Sequence, residues 1–195
     1  MMGLVFNEFL DFVDAERPGR GRTLLGIVGR ATSMGYEPFE RYDYDELLTL
    51  ARIVARGEGV TSGDILRRFG ERLFERLTVI CPAFRGRGED AVTFLQAVEE
   101  MHGKLGGFDA AAELLCIRCR ELGPGLLEVE YSSVRNLADV AEGMIRGCIA
   151  HFGGGHLERE DLPGAPGRAA RFVLSTTVQP RTSSAPEKDA GYTLR

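Results

Sequence analysis

In this chain of 195 residues, two groups of side chains combine type and spacing in a way that implies chemistry. His102 falls seven residues after Leu95, four after Val98 and three before Leu105, so on a helix it shares their apolar stripe. An imidazole turned inward among leucine, valine and methionine is either a hydrogen-bonded core residue or an axial metal ligand. The second group lies on a strand. Alternation along Leu126 to Arg135 sends Leu127, Val129, Tyr131, Ser133 and Arg135 to one face, and Glu128, Glu130 and Ser132 to the other. The apolar face therefore ends in a phenol, a hydroxyl and a guanidinium. Such a trio suits an anion with a greasy body, because arginine grips a carboxylate through two parallel bonds. A haem with its two propionates is a ligand of this kind; a strand end with a tyrosine hydrogen bond and a solvated arginine is the alternative.

Those residues need elements to hold them. Val5, Phe6, Phe9, Leu10, Phe12 and Val13 form one wide apolar stripe, and Leu47, Leu48, Leu50, Ala51, Val54 and Ala55 another, which predicts a helical first half. Pro18, Gly19 and Gly21 break the first helix, and Gly19 to Thr23 reads as a basic connecting turn without the pattern of a phosphate loop. Thr61 or Ser62 caps a helix over Asp64 to Leu77, and Ile80-Cys81-Pro82 closes it. A further helix over Asp90 to Leu105 carries Leu95, Val98, Met101 and His102. Near Gly106-Gly107 the pattern changes to strands, Leu114 to Arg120 and Leu126 to Ser133, joined at Gly123-Pro124-Gly125. A helix over Asn136 to Phe152 and strands over His156 to Leu162 and Arg171 to Val178 follow. The expected fold is α+β: an N-terminal helical subdomain, and a C-terminal subdomain with a small antiparallel sheet of about four strands plus helices. One domain is expected over residues 1–179, split into a distal part (1–60) and a proximal part with the sheet (61–179). Residues 180–195, rich in Ser, Thr, Pro and charge, are expected to form a flexible tail.

Bulk properties exclude several classes. A net charge of −5 argues against binding nucleic acid through its phosphates. No apolar run is long enough to cross a bilayer, and Asn7, Glu8 and Asp11 within the first apolar pattern argue against a signal peptide, so a cytoplasmic location is expected. Cys81, Cys116, Cys119 and Cys148 then read as reduced thiols. Cys116-Ile-Arg-Cys119 is followed by Arg120 in place of histidine, which excludes the usual covalent haem attachment. Zinc or thiol redox chemistry at this pair, with Cys81, Cys148, His151 or His156 as further ligands, competes with partly buried cysteines, since side chains three apart on a strand face opposite ways. No Ser-His-Asp or paired-carboxylate arrangement stands out, so an enzyme is not expected.

Beyond the two groups, the chain resembles the haem nitric oxide/oxygen binding family, H-NOX, related to the sensor region of soluble guanylate cyclase. Phe94-Leu95, Glu99-Glu100-Met101-His102 and Leu105 resemble the family's proximal-histidine helix. Tyr131, Ser133 and Arg135 resemble its Y-x-S-x-R propionate motif, and the start Gly3-Leu4-Val5-Phe6-Asn7 is also similar. The similarity runs from about Met1 to Thr177 and implies a non-covalent haem b, with His102 on the iron and Tyr131, Ser133 and Arg135 on the propionates. Around it a pocket of Val5, Phe9, Phe74, Thr78, Leu95, Val98, Met101, Leu105, Leu115, Val140 and Met144 is expected. Oxygen-binding members use a distal tyrosine where this chain has Val140, so nitric oxide and carbon monoxide are the expected ligands, with the Thr78 hydroxyl the one weak donor nearby. A proline that presses on the haem in many members corresponds to Leu115, which implies a flatter ring. The resemblance also implies a signal passed by movement of the His102 helix to a partner in trans, a histidine kinase or a cyclic-di-nucleotide enzyme. A stable oxygen binder and a haem-free thiol-redox or interaction module are the alternatives.

Overall fold

A computed structural model describes residues 1–29, 35–80, 88–106, 115–163 and 167–176, without the side chains of 103–106 and 115. Its elements are α1 (Gly3–Glu16), α2 (Arg20–Ile27), α3 (Tyr44–Glu58), α4 (Ser62–Ile80), α5 (Ala91–Gly106), β1 (Leu115–Gly123), β2 (Leu126–Ser133), α6 (Ala138–His151), β3 (Gly155–Asp161) and β4 (Ala169–Thr176). The fold is α+β, as the periodicities predict. Cys81 and the tail at 180–195 lie outside the described residues.

Local chemistry sets the helix ends. Asp43 accepts from the Asp45 N–H at 3.0 Å to start α3, and Gly59, at φ 72, ends it. Thr61 Oγ1 accepts from the Asp64 N–H at 3.1 Å while Asp64 Oδ2 accepts from the Thr61 N–H at 3.0 Å, a reciprocal cap for α4. Residues 20–23, expected as a turn, are instead the first turn of α2. Gly19 at φ 84 redirects the chain, and the Gly21 N–H donates to Asp14 Oδ1 at 2.6 Å, which satisfies an otherwise free helix amide.

The strands form one antiparallel sheet in the order β1-β2-β4-β3. Helix α5 lies against β1, while β3 is the free edge among the described residues and exposes Glu158, Glu160 and Asp161. Two buried clusters result. One joins α1, α2, α3 and the first turns of α4 around Phe6, Phe9, Leu50 and Phe69. The other joins α5, α6 and the inner sheet face around Phe94, Leu127, Phe172 and Leu174. Helices α4 and α6 cross where Gly70, Gly143 and Gly147 leave room for backbone to meet backbone. Buried carboxylates at this level are all paired: Glu8 accepts from Arg76 at 2.8 and 3.2 Å, and Glu142 meets Arg146 and Arg159. Among the described residues no helix is long and apolar enough to cross a membrane.

Candidate functional site

Between the two clusters lies a cavity of about 290 Å³ to which α1, α3, α4, α5, α6, β1 and β2 all contribute. His102, Tyr131, Ser133 and Arg135 line it, and they are the only polar side chains among its described lining residues. An imidazole and a polar trio that begins 29 positions later in the sequence are thus brought to one apolar space. The His102 Nδ1 is 3.0 Å from Val98 O, one helical turn back. A carbonyl can only accept, so Nδ1 carries the proton and the Nε2 lone pair is left for a ligand. Leu95 and Val98 line the cavity beside it, as the 3.6-residue period requires.

On the sheet side, Tyr131 is buried and Ser133 and Arg135 half-buried. Burial pushes the Tyr131 phenol up from its ordinary value, against smaller lowering effects of the Ser133 hydroxyl and the Arg135 charge. The phenol is therefore a donor at neutral pH. Strand β2 ends at Ser133, and Ser133 Oγ accepts from the Arg135 N–H at 3.1 Å, which turns the chain and still aims position 135 at the cavity. The Arg135 guanidinium stands 6.0 Å from the centroid of the Tyr44 ring. Among the described residues no carboxylate pairs with it, whereas the buried acids elsewhere each hold an arginine. An unpaired guanidinium at the rim of an apolar cavity, beside two hydroxyl donors, is a site for an anion with an apolar body.

The remaining expected pocket residues divide. Val5, Phe74, Val140 and Met144 line the cavity. Phe9 does not: one turn beyond Val5 on α1, it is fully buried in the N-terminal cluster, edge-on to Phe69 at 5.1 Å. Thr78 does not either, because it sits about 100° round α4 from Leu77 and its hydroxyl donates to Glu75 O at 2.7 Å. Met101 is likewise displaced by about 100° from His102 on α5 and is absent from the lining. The side chains of Leu105 and Leu115 lie outside the described residues. Sequence reasoning did not assign Met1, Leu47, Leu73, Leu77, Phe94, Ile117, Val129, Leu137, Ala141 and Ile145 to the pocket, although Leu73 and Leu77 were readable from their i, i+4 spacing to each other. Cys116 is exposed and Cys119 half-buried, on opposite faces of β1, and neither lines the cavity. Among the described residues no cluster of histidine, cysteine and carboxylate side chains is placed to hold a bare metal ion.

Comparison with known proteins is consistent with this geometry. The family model described as haem-NO-binding matches residues 2–155. No curated protein sequence matches the chain. Among solved structures, the chain is similar to an H-NOX protein from S. oneidensis in the Fe(II)NO ligation state, with 21% identity, TM-score 0.77, and coverage of 91% of this chain and 100% of that one. A mutant of an H-NOX protein from S. oneidensis in the Fe(II) ligation state gives 20% identity, TM-score 0.81 and coverage of 93% and 98%. The Fe(II) unliganded H-NOX protein from K. algicida gives 21%, 0.76, 92% and 98%. At these identities the structural likeness fixes the fold.

Proposed function

The chain belongs to the haem-NO-binding family, and from that premise we propose that it holds a b-type haem without covalent attachment, ligated through His102, and senses nitric oxide. The observation that carries this is the meeting of His102 and Arg135, which no carboxylate among the described residues pairs, with Tyr131 and Ser133 in a cavity whose other described lining is apolar. When bound, a ferrous haem would supply an iron able to take up nitric oxide or carbon monoxide, and His102 would be the residue that holds that iron. The residues do the rest. Val98 O fixes the His102 ring so that Nε2 is the ligating atom. Arg135, Tyr131 and Ser133 offer charge-assisted and neutral hydrogen bonds to the propionates. No cysteine is among the described lining residues, which supports non-covalent attachment.

The gas follows from the walls that α1, α4 and α6 contribute. Val5, Leu73, Phe74, Leu77, Val140 and Met144 carry no hydrogen-bond donor, and the Thr78 hydroxyl is engaged elsewhere. Bound dioxygen takes on negative charge and needs a donor; nitric oxide and carbon monoxide do not, so the walls favour these two. The helix that carries His102, α5, would pass on the signal by shifting, a two-state change read in trans by a signalling protein, a histidine kinase or a cyclic-di-nucleotide enzyme. The free thiols Cys116, Cys119 and Cys148 suit the reducing cytoplasm.

Absorption spectra test this reading. The reconstituted ferrous protein is expected to show a five-coordinate high-spin haem that persists briefly in air and shifts with nitric oxide. His102→Ala should abolish the axial ligand, and Arg135→Ala should weaken haem retention by about tenfold or more, the worth of a charge-assisted hydrogen bond. Normal spectra and retention in both variants would refute the site, and a stable oxygenated spectrum would refute the choice of gas.

A further inference from the structure

Two residues outside the cavity join the His102 helix to the sheet margin. Among the described residues strand β1 pairs on one side only, with β2, so its outward amides have no strand partner there. One of them is satisfied from α5: the Cys119 N–H donates to Glu99 Oε2 at 3.1 Å. The same residue reaches back with its side chain, the Cys119 thiol lying 3.6 Å from Leu95 O. Burial first, and then the charge and hydrogen bond of Glu99, push this thiol up to about 12. It therefore keeps its proton at neutral pH and acts as the donor to Leu95 O. The two bonds grip successive turns of α5, at Leu95 and Glu99, directly before His102. Neither belongs to the helix's own ladder or to the β1–β2 ladder, so both can open with each element intact. Contacts of this kind are strong enough to bias a two-state position and weak enough to release it.

We infer that the Glu99–Cys119 clasp holds α5 where His102 can reach the iron, and that its opening is the step that lets α5 move away when that bond is lost. The inference rests on the haem reading above. Glu99 and Cys119 are positioning residues, acting on the iron only through α5. With the clasp cut, the helix gives up less when it departs, so nitric oxide should more readily leave the haem free of histidine.

The test uses the haem-loaded full chain with nitric oxide, reading from the absorption spectrum the ratio of histidine-free to histidine-bound haem. Glu99→Ala should raise this ratio about fivefold or more, since a hydrogen bond to a charged group is worth about a decade in an equilibrium constant. Glu99→Gln keeps an acceptor oxygen and should fall between Glu99→Ala and the parent. Hydrogen exchange at the Cys119 amide gives a second readout: slow in the ferrous parent, at least about tenfold faster after nitric oxide, and fast throughout in Glu99→Ala. A purely structural role would lower the melting temperature of Glu99→Ala and leave the ratio unchanged. An unchanged ratio, or Cys119 exchange indifferent to nitric oxide, overturns the clasp. A parent chain that takes up no haem shows no haem absorption at all; that outcome refutes the sensor reading and removes this gate with it.

Discussion

Gly143→Ala measures how closely α4 and α6 must approach. A β-carbon at position 143 would stand 2.0 Å from Arg67 O and 2.9 Å from the Gly70 Cα, both backbone atoms of α4. No rotamer relieves a backbone clash, so reaching the 3.0 Å that real β-carbons require moves one helix off the other by about 1 Å. Overpacking of this kind costs about 1–3 kcal/mol, against a gain of about 1 kcal/mol from replacing glycine with alanine inside a helix. The upper part of the range applies, because the seam is tight along its length: a β-carbon on Gly70 would lie 2.3 Å from Val140 O, and one on Gly147 3.0 Å from the Phe74 Cβ. The net expectation is a loss of about 1–2 kcal/mol and a fall in Tm of roughly 2–8 °C for a chain of this size. Gly26→Ala on the exposed face of α2, where an added β-carbon meets nothing within 4 Å among the described residues beyond its own helix, supplies the control and should gain about 0.5–1 kcal/mol. Thermal and urea unfolding of the two variants decide it. The cavity should respond as well, since α4 brings Leu73, Phe74 and Leu77 and α6 brings Val140, Ala141, Met144 and Ile145 to its wall. A Gly143→Ala protein as stable as the parent would refute the reasoning.

Two further expectations rest on titrating groups. Asp64 is held down at about 2, first by the Thr61 hydroxyl, then by the Thr61 N–H and by Arg67. A carboxyl depressed in the folded state stabilises it above the unfolded value of about 4, and that contribution is lost as pH falls through about 2. Thr61→Ala should therefore move the Asp64 titration upward by NMR and reduce acid resistance in this window; an unmoved titration would remove Thr61 as the cause. Burial, and after it the charge of Asp90, push the Cys148 thiol up to about 12, while Cys116 is exposed. Alkylation at about pH 8 should label Cys116 well before Cys148, and peptide mass mapping that found equal rates would contradict the packing around α6.

Much of the site was legible because it obeys simple periods. His102, Leu95 and Val98 share a face by helical spacing, and Tyr131 and Ser133 by strand alternation. Arg135 was reached by extending that alternation past the strand end, where the bend secured by Ser133 happens to keep its direction. Periodicity does not resolve neighbours about 100° apart on a helix, which is why Thr78 and Met101 were placed on the wall beside Leu77 and His102. Phe9 lay on the correct face of α1 but one turn too deep. Contributions from distant segments, such as Leu47 and the Tyr44 ring under Arg135, carry no local signal. Glu128 points outward as alternation predicts yet is buried, because Arg120 on the neighbouring strand covers it with bonds of 3.0 and 2.7 Å. Helix α2 was hidden by two glycines, and what rescues it, the Asp14 carboxylate, belongs to the preceding helix.

The sheet's two margins bear on self-association. Helix α5 attends β1 on one side, and on the other β3 turns Glu158, Glu160 and Asp161 to solvent. A second molecule approaching to extend the ladder along β3 meets exposed charge, Glu158 together with the Asp161–Arg159 and Glu160–Arg171 pairs, which must give up water before any amide could pair. Fibre-like stacking through that strand is thus opposed by the cost of desolvating charge rather than by any lack of open backbone groups.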